Sequence, residues 1–370
     1  MARFEAMSQR SEPIDALRGA AVLLVAQAHF LSLTGFFDWI GASALVARIG
    51  DSGGAGVDVF FVLSAYLLAS GLARRGAEPG AVRTFYMRRA MRVLPLYWIV
   101  VAFGFGLYGL WMACVGLKTW LWAAPYPAWV YLAFLQNWFA GLTGGVAAWF
   151  GPTWSLAVEE QFYLLLPLMM TKLSARAVWR IGWSWIVLAP LIRLGCDAFV
   201  GFHAPYYWSI CRLDSFGWGL VIALAPQFAR RFTLDARLAG TAGAMLLLVV
   251  LALSSRATAF ERSMTPSATG VAAALLTWSA AHGAGGANRA LVWCGQRCYS
   301  LYLLQLPVLG LTFLVAGYIG PSFGVPYGPA LVALAFAATL VLSDISYRRI
   351  EQPFMQRALR LAKADSAIAA

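Results

Sequence analysis

Apolar segments follow one another along the whole chain. A helix needs about 20 mostly apolar residues to cross the ~30 Å hydrocarbon core of a bilayer. Such lengths favour helices over the ~10-residue alternating strands of an outer-membrane barrel. The pattern predicts an all-α polytopic membrane protein with about ten transmembrane helices. The predicted spans lie at 14–34, 54–73, 94–116, 153–171, 183–200, 207–225, 239–254, 267–283, 299–317 and 330–347.

One further apolar segment, residues 128–141, is shorter than these spans and is preceded by Pro125 and Pro127. If it crossed the membrane, every later basic loop would change sides. We therefore expect it to be re-entrant or interfacial, entering and leaving on the outer side. The alternative is that 128–141 crosses the membrane and another weak segment does not.

No linker or repeat divides the chain, so a single membrane domain is expected over 1–370. Short cytoplasmic tails are expected at 1–13 and 348–370, with no appended soluble domain. The N-terminal residues lack the pattern of a cleavable signal peptide.

The amino-acid composition excludes several classes of protein. Apolar residues make up 61% of the chain and charged residues 12%, against about 45–50% and 25% in soluble domains. A soluble enzyme, a disordered chain and a nucleic-acid-binding domain are therefore excluded as first interpretations. The five cysteines form no C-x-x-C pair, so neither a zinc site nor a disulfide framework is indicated.

The net charge of +12 is explained by where the basic residues lie. They concentrate in alternate loops, which become cytoplasmic under the positive-inside rule. This predicts a bacterial-type inner (plasma) membrane protein with both termini in the cytoplasm, and no nucleic-acid partner. The loops on the opposite side carry only Arg48, Lys118, Arg256 and Arg262.

Charged residues inside spans are functional candidates, because a bilayer tolerates them poorly. Arg18 and His29 lie eleven residues apart in the first span, which puts them on one helix face about 16 Å apart along the axis. The predicted topology puts His29 and Glu159 at similar depth near the outer side. This pairing suits general base catalysis, in which a carboxylate stabilises the imidazolium. The alternative is that Glu159 or its neighbour Glu160 only ties helices together.

Arg88, Arg89 and Arg92 form a basic cluster at the cytoplasmic entry of the third span. Arg88 and Arg92 are i,i+4 neighbours on one face, and arginine clusters bind phosphates. The alternative is a topology anchor or a site for anionic lipids. Elsewhere, Arg193 and Asp197 are expected to form a structural pair, as are Arg212 and Asp214, for which a functional role stays equally open.

Several short segments together resemble the acyltransferase family 3 of integral membrane proteins, over nearly the whole chain. The family's Arg-x10-His pattern matches Arg18 and His29, and its basic segment matches Arg88 to Arg92. Further segments that match in the family's order are Gly56 to Ser64, Trp154 to Tyr163, Arg212 to Gly219, Y-S-L-Y-L-L-Q-L-P-V and R-I-E-Q-P-F.

The resemblance implies transfer of an acyl group, acetyl being preferred, from cytoplasmic acyl-CoA to a hydroxyl of an extracytoplasmic glycan or other acceptor. Acyl-CoA would be a donor substrate, with no permanently bound cofactor and no metal. The other expected partners are membrane lipid and the carbohydrate acceptor. The alternatives are a carrier or flippase for a lipid-linked saccharide and a non-catalytic membrane scaffold.

The resemblance assigns roles to named residues. His29 and Glu159 would be catalytic, while Arg18, Arg88, Arg89 and Arg92 would bind the coenzyme. Two residues depart from the family pattern, since Ala65 replaces a usual Gly and Gln305 replaces a frequent His. The remaining site candidates are Asp58, Ser64, Trp154, Ser155, Arg212 and Asp214.

Overall fold

Helices make up the regular structure of the protein. The computed structural model describes residues 11–75, 80–114, 124–228, 234–254, 257–283, 288–323 and 328–368, and no strand occurs within those ranges. The long helices are α1 (Glu12–Gln27), α2 (Ala55–Arg75), α3 (Ala81–Cys114), α4 (Thr153–Lys172), α5 (Ala175–Phe199), α6 (Leu213–Phe228), α7 (Ala236–Leu253), α8 (Ala259–Ala281), α9 (Cys298–Phe323), α10 (Pro329–Ser346) and α11 (Gln352–Ile368).

Contacts between helix ends show that neighbouring long helices run in opposite directions. Arg262 at the start of α8 binds Asp197 at the end of α5, and Arg297 before α9 binds Asp344 near the end of α10. We call the end of the bundle where α1 begins the basic end, and the end where α1 stops the cap end. The cap end carries short helices at Phe36–Trp39, Ala44–Asp51, Ala128–Leu132, Gln136–Thr143 and Ala204–Tyr207.

Seven helical stretches within the described ranges are long and apolar enough to cross a membrane. Together with the all-helical structure, they confirm the prediction of an all-α polytopic membrane protein. Helices α4, α6 and α8 fall outside this group, so the number of ten crossings stays a prediction. The seven stretches are Glu12–Ser32, Ala44–Arg74, Ala81–Ala113, Ala175–Phe199, Ala236–Leu253, Cys298–Ala316 and Pro329–Ala362.

Residues 128–141 do not form a spanning helix. The chain turns at Phe134, whose φ is 52°, and the helices on either side have five and eight residues. At 1.5 Å per residue they rise only about 8 and 12 Å, well short of the hydrocarbon core. The buried Gln136 amide donates to the Thr153 carbonyl at 2.8 Å. This bond ties the segment to the start of α4 at the cap end.

The replacement of the family's Gly by Ala65 is accommodated by close helix packing. Ala65 is completely buried, and a Cβ built on Gly219 of α6 would lie 2.4 Å from the Ala65 Cβ. Gly219 therefore provides the space that the Ala65 methyl group occupies. Small residues at such contacts let membrane helices approach closely.

A short helix, Arg289–Gln296, fixes the start of α1 at the basic end. A Cβ on Gly19 would lie 2.0 Å from the Leu291 carbonyl oxygen, and one on Gly295 would lie 1.7 Å from the Asp15 carbonyl oxygen. The two backbones can approach this closely only because both positions are glycine. This contact holds the helix turn that carries Arg18.

Candidate active site

The basic end contains a cavity of about 90 Å³ between α1, α2, α3, α4 and α9. We call it the basic cavity, because Arg18, Arg89 and Arg92 line it together. The three arginines come from sequence positions up to 74 residues apart. Arg88 is not among the lining residues, so the cavity face of α3 carries the i,i+3 pair Arg89 and Arg92. The sequence predicted that Arg88 and Arg92 share the functional face of this helix, but in the structure Arg89 takes the place of Arg88.

Two of these guanidinium groups are available for a ligand. Arg89 and Arg92 line the cavity without a hydrogen-bond partner among the described residues. The Arg89 guanidinium lies over the Tyr163 ring, 5.3 Å from its centre. Arg18 donates to Asp15 at 3.0 Å through one nitrogen only. The cavity thus presents a cluster of positive charge with unused donors, an arrangement that suits phosphate or carboxylate groups.

Glu159 also lines the basic cavity. Its carboxylate accepts a hydrogen bond from Ser64 Oγ at 3.0 Å and another from Tyr163 Oη at 2.7 Å. The expected pairing with His29 is absent from the contacts of the described residues. Counting residues along a helix gives the depth of a side chain but not the neighbour that it faces. Glu159 faces α2, whereas His29 lies in a different cavity.

His29 lines a cavity of about 870 Å³ at the cap end, which we call the His29 cavity. The residue lies in a π-helical turn, Ala28–Ser32, that follows α1; such turns are frequent at functional sites. His29 Nδ1 is buried and has no hydrogen-bond partner among the described residues. The Gln305 side chain lies next to the imidazole, and its amide group donates to the Tyr302 carbonyl at 3.1 Å. The family's second His position is therefore occupied here by a neighbour of His29.

The basic cavity and the His29 cavity meet at Tyr302 and Val57, which line both of them. The Tyr302 hydroxyl is hydrogen-bonded to Ser155 Oγ at 2.5 Å, and this bond joins α9 to α4. Trp154 lines the His29 cavity while Ser155 lines the basic cavity. The two cavities thus share part of their walls, at Tyr302 and Val57. Hydrophobic patterning alone gives no reason to single out Tyr302; its segment, Y-S-L-Y-L-L-Q-L-P-V, was the available signal.

Asp58 and Arg212 form a buried ion pair. Arg212 Nη1 donates to both Asp58 oxygens at 3.1 Å, and Ser215 Oγ donates to Asp58 at 3.0 Å. The Arg212 Nε and Nη2 atoms donate to the Tyr206 carbonyl at 3.1 and 2.7 Å. The guanidinium also lies 4.9 Å from the centre of the Tyr206 ring. The pair therefore positions Tyr206, which lines the His29 cavity.

The expected pairing of Arg193 with Asp197 is wrong, and so is the expected pairing of Arg212 with Asp214. Arg193 is completely buried and makes a two-pronged contact with Asp214 at 3.0 and 2.7 Å. Asp197 instead binds Arg262 of α8 at 2.8 and 2.9 Å. Asp214 and Asp197 thus each bind an arginine of another helix. Each points away from the arginine that is nearest to it in the sequence.

Together, the two cavities provide a positively charged site, an imidazole beside an open cavity, and a thin barrier between them. An anion-bearing donor and a neutral acceptor can approach that barrier from opposite ends. A neutral imidazole can accept a proton from a hydroxyl group. This combination suits transfer of a group from an anionic donor to a hydroxyl.

Comparison with known proteins identifies the family of the chain. The peptidoglycan O-acetyltransferase OatA of Listeria monocytogenes is 24% identical over 375 residues, which covers 92% of this chain and 55% of that protein. The O-acetyltransferase OatA of Staphylococcus aureus is 26% identical over 343 residues, covering 84% and 54%. The chain thus spans about half the length of these relatives. No solved structure matches it. The family model described as an acyltransferase domain matches residues 12–348, and the chain belongs to this family of membrane O-acyltransferases, acyltransferase family 3.

Proposed function

We propose that the protein transfers an acyl group, in the first place acetyl, from acyl-CoA at the basic end to a hydroxyl of an extracytoplasmic glycan at the cap end. The observation that carries the proposal is the junction of the basic cavity with the His29 cavity at Tyr302 and Val57. A donor that enters from one end and an acceptor that enters from the other would meet there.

The charges of the basic cavity support acyl-CoA as the donor. Three guanidinium groups face one carboxylate, that of Glu159, and the coenzyme carries several phosphates. Arg89 and Arg92 would bind those phosphates through donors that no described residue uses. The cavity volume of about 90 Å³ is below the ~300–1,000 Å³ of typical ligand sites. The cavity would therefore have to widen when the phosphates and the pantetheine arm of the donor bind.

The chemistry would follow from the position of His29. The acceptor hydroxyl attacks the thioester carbonyl carbon while the His29 imidazole takes the hydroxyl proton. A carbon–oxygen bond forms and the carbon–sulfur bond breaks, so that the acyl group ends as an ester. The thiolate of the coenzyme then takes the proton and leaves as a thiol. Glu159 was expected to support the imidazole but faces Ser64 and Tyr163 instead. Gln305, which lies next to the imidazole, would orient it in place of Glu159.

Aromatic side chains of the His29 cavity support a carbohydrate acceptor. The rings of Trp154, Tyr206 and Tyr207 lie 4.9 to 5.2 Å apart, centre to centre, and all three line the cavity. One relative is named for O-acetylation of peptidoglycan. The basic end would face the cytoplasm under the positive-inside rule, with both termini on that side, and the cap end would face the glycan.

A sided transfer assay tests the proposal. The purified protein is reconstituted in vesicles, with radioactive acetyl-CoA on one side and envelope glycan from a deletion strain on the other. Ester should form only when the donor is on the basic-end side. The proposal would be contradicted if ester formed only when both substrates were on the same side. It would also be contradicted if no ester formed with any acyl-CoA.

A further inference from the structure

A third cavity, of about 300 Å³, opens at the cap end beside the His29 cavity. We propose that this side cavity binds the sugar residue next to the one that is acylated, so that the acceptor is an oligosaccharide or polymer and not a free monosaccharide. The inference rests on the proposed function and specifies its acceptor.

The side cavity adjoins the His29 cavity at two aromatic residues. Tyr206 and Tyr207 line both cavities, and their rings lie 5.0 Å apart in a T-shaped arrangement. The other walls come from the start of α2, the end of α7 and the start of α8. A chain molecule bound across the two tyrosines would occupy both cavities at once.

The walls of the side cavity have the mixed character of a sugar site. Rings of Phe202, Pro205 and Pro266 form an apolar part, whereas Ser254 and Thr265 contribute hydroxyl groups. Ser254 Oγ is buried and has no hydrogen-bond partner among the residues that the structure describes. A sugar ring presents apolar C–H faces and a hydroxyl edge, and it would supply the partner that Ser254 lacks.

Two other ligand classes fit less well. An anionic ligand needs free guanidinium donors, but all three nitrogens of Arg212 donate to Asp58 or the Tyr206 carbonyl. Arg262 donates to Asp197 and to the Ala257 carbonyl. A lipid chain would leave the buried Ser254 hydroxyl without a partner, which is costly. The walls thus favour a neutral, hydroxyl-rich ligand.

The Asp58–Arg212 pair acquires a function from this arrangement. Arg212 holds the Tyr206 carbonyl through two nitrogens and lies over both the Tyr206 ring and the Trp154 ring. It thereby fixes the aromatic wall where the two cavities join. Asp58 and Arg212 are positioning residues, which act on the acceptor through Tyr206.

A length series of acceptors tests the inference. The envelope glycan that loses acetyl esters in a deletion strain is cleaved and separated into fragments of one to six sugar residues. Purified wild-type protein should acetylate fragments of two or more residues with a kcat/KM about tenfold above that of the single residue, as one or two added hydrogen bonds would give.

Two substitutions that fill the side cavity, Ser254→Phe and Thr265→Phe, should remove this advantage while leaving the rate with the single residue unchanged. Thr241→Phe, at an exposed position of α7 away from the cavity, is the matched control and should keep it. Wild-type rates that do not depend on length would overturn the subsite. So would a loss of rate in the two variants that is equal for fragments of every length. Failure to acetylate even the intact polymer would instead refute the proposed function.

Discussion

Replacement of His29 by Gln tests the central chemical step. Gln is polar and of similar size, so it fills the π-turn position but cannot act as a base near neutral pH. Loss of a general base costs about 10²–10⁴ in rate, which corresponds to about 2.7–5.5 kcal/mol of barrier. Donor affinity should stay unchanged, because His29 does not line the basic cavity. It lies about 16 Å along the helix axis from Arg18.

The measurement is single-turnover acetyl transfer to glycan by the purified protein, with acetyl-CoA binding followed by calorimetry on the same samples. His282→Gln is the matched control, since His282 is exposed at the end of α8 and should transfer at the wild-type rate. Transfer by His29→Gln at the wild-type rate would refute the role of general base. A loss of donor binding would instead make His29 part of the donor path.

Three further predictions concern the donor site, the barrier and the buried charges. Arg92→Gln should lower acetyl-CoA affinity about 10- to 100-fold in calorimetry, as loss of a charged hydrogen bond would, whereas Arg83→Gln, exposed near the start of α3, should not; equal affinities would reduce Arg92 to a topology anchor. Tyr302→Phe removes the bond between α9 and α4 where the cavities meet, so water should reach the thioester more easily; hydrolysis of acetyl-CoA to acetate and free coenzyme without glycan should rise by up to about tenfold, and an unchanged rate would argue against a barrier there. Arg193→Met leaves Asp214 buried without its partner and should cost about 3–5 kcal/mol of stability in detergent; the double variant Arg193→Met/Asp214→Leu should recover most of it, and no recovery would contradict the pairing.

The hydrophobic pattern predicts most of the fold. The second span is expected at 54–73, and the helix lies at Ala55–Arg75. The pattern is less accurate where polar residues extend a helix beyond its apolar part. The segment expected at 267–283 begins at Ala259, because Thr258 and Glu261 form a capping box that starts the helix early. The apolar pattern thus indicates which part of a helix is buried, whereas capping residues determine where the helix begins.

The site is less predictable than the fold for a geometric reason. Sequence spacing gives the height of His29 and Glu159 in the bundle, but the packing of α4 turns Glu159 toward Ser64 of α2. The same limit explains why Arg193 pairs with Asp214 and not with Asp197. Which helices are neighbours, and which faces they share, depends on contacts between residues far apart in the chain.

The buried charges of the protein differ in how fully their hydrogen bonds are satisfied, and this difference separates scaffold from site. Arg193 donates to the carbonyls of Ser263 and Cys211, to both Asp214 oxygens and to Ser267 Oγ. Such a saturated group has nothing left for a ligand, and a bilayer tolerates it because every donor is used. Arg89 and Arg92 face a cavity with no hydrogen-bond partner among the described residues. Holding these two partly buried cations close together without hydrogen-bond partners costs free energy, which a purely structural role would not offset. A ligand that brings negative charge to the cavity would offset this cost. Donor binding should therefore stabilise the protein as well as supply the acyl group.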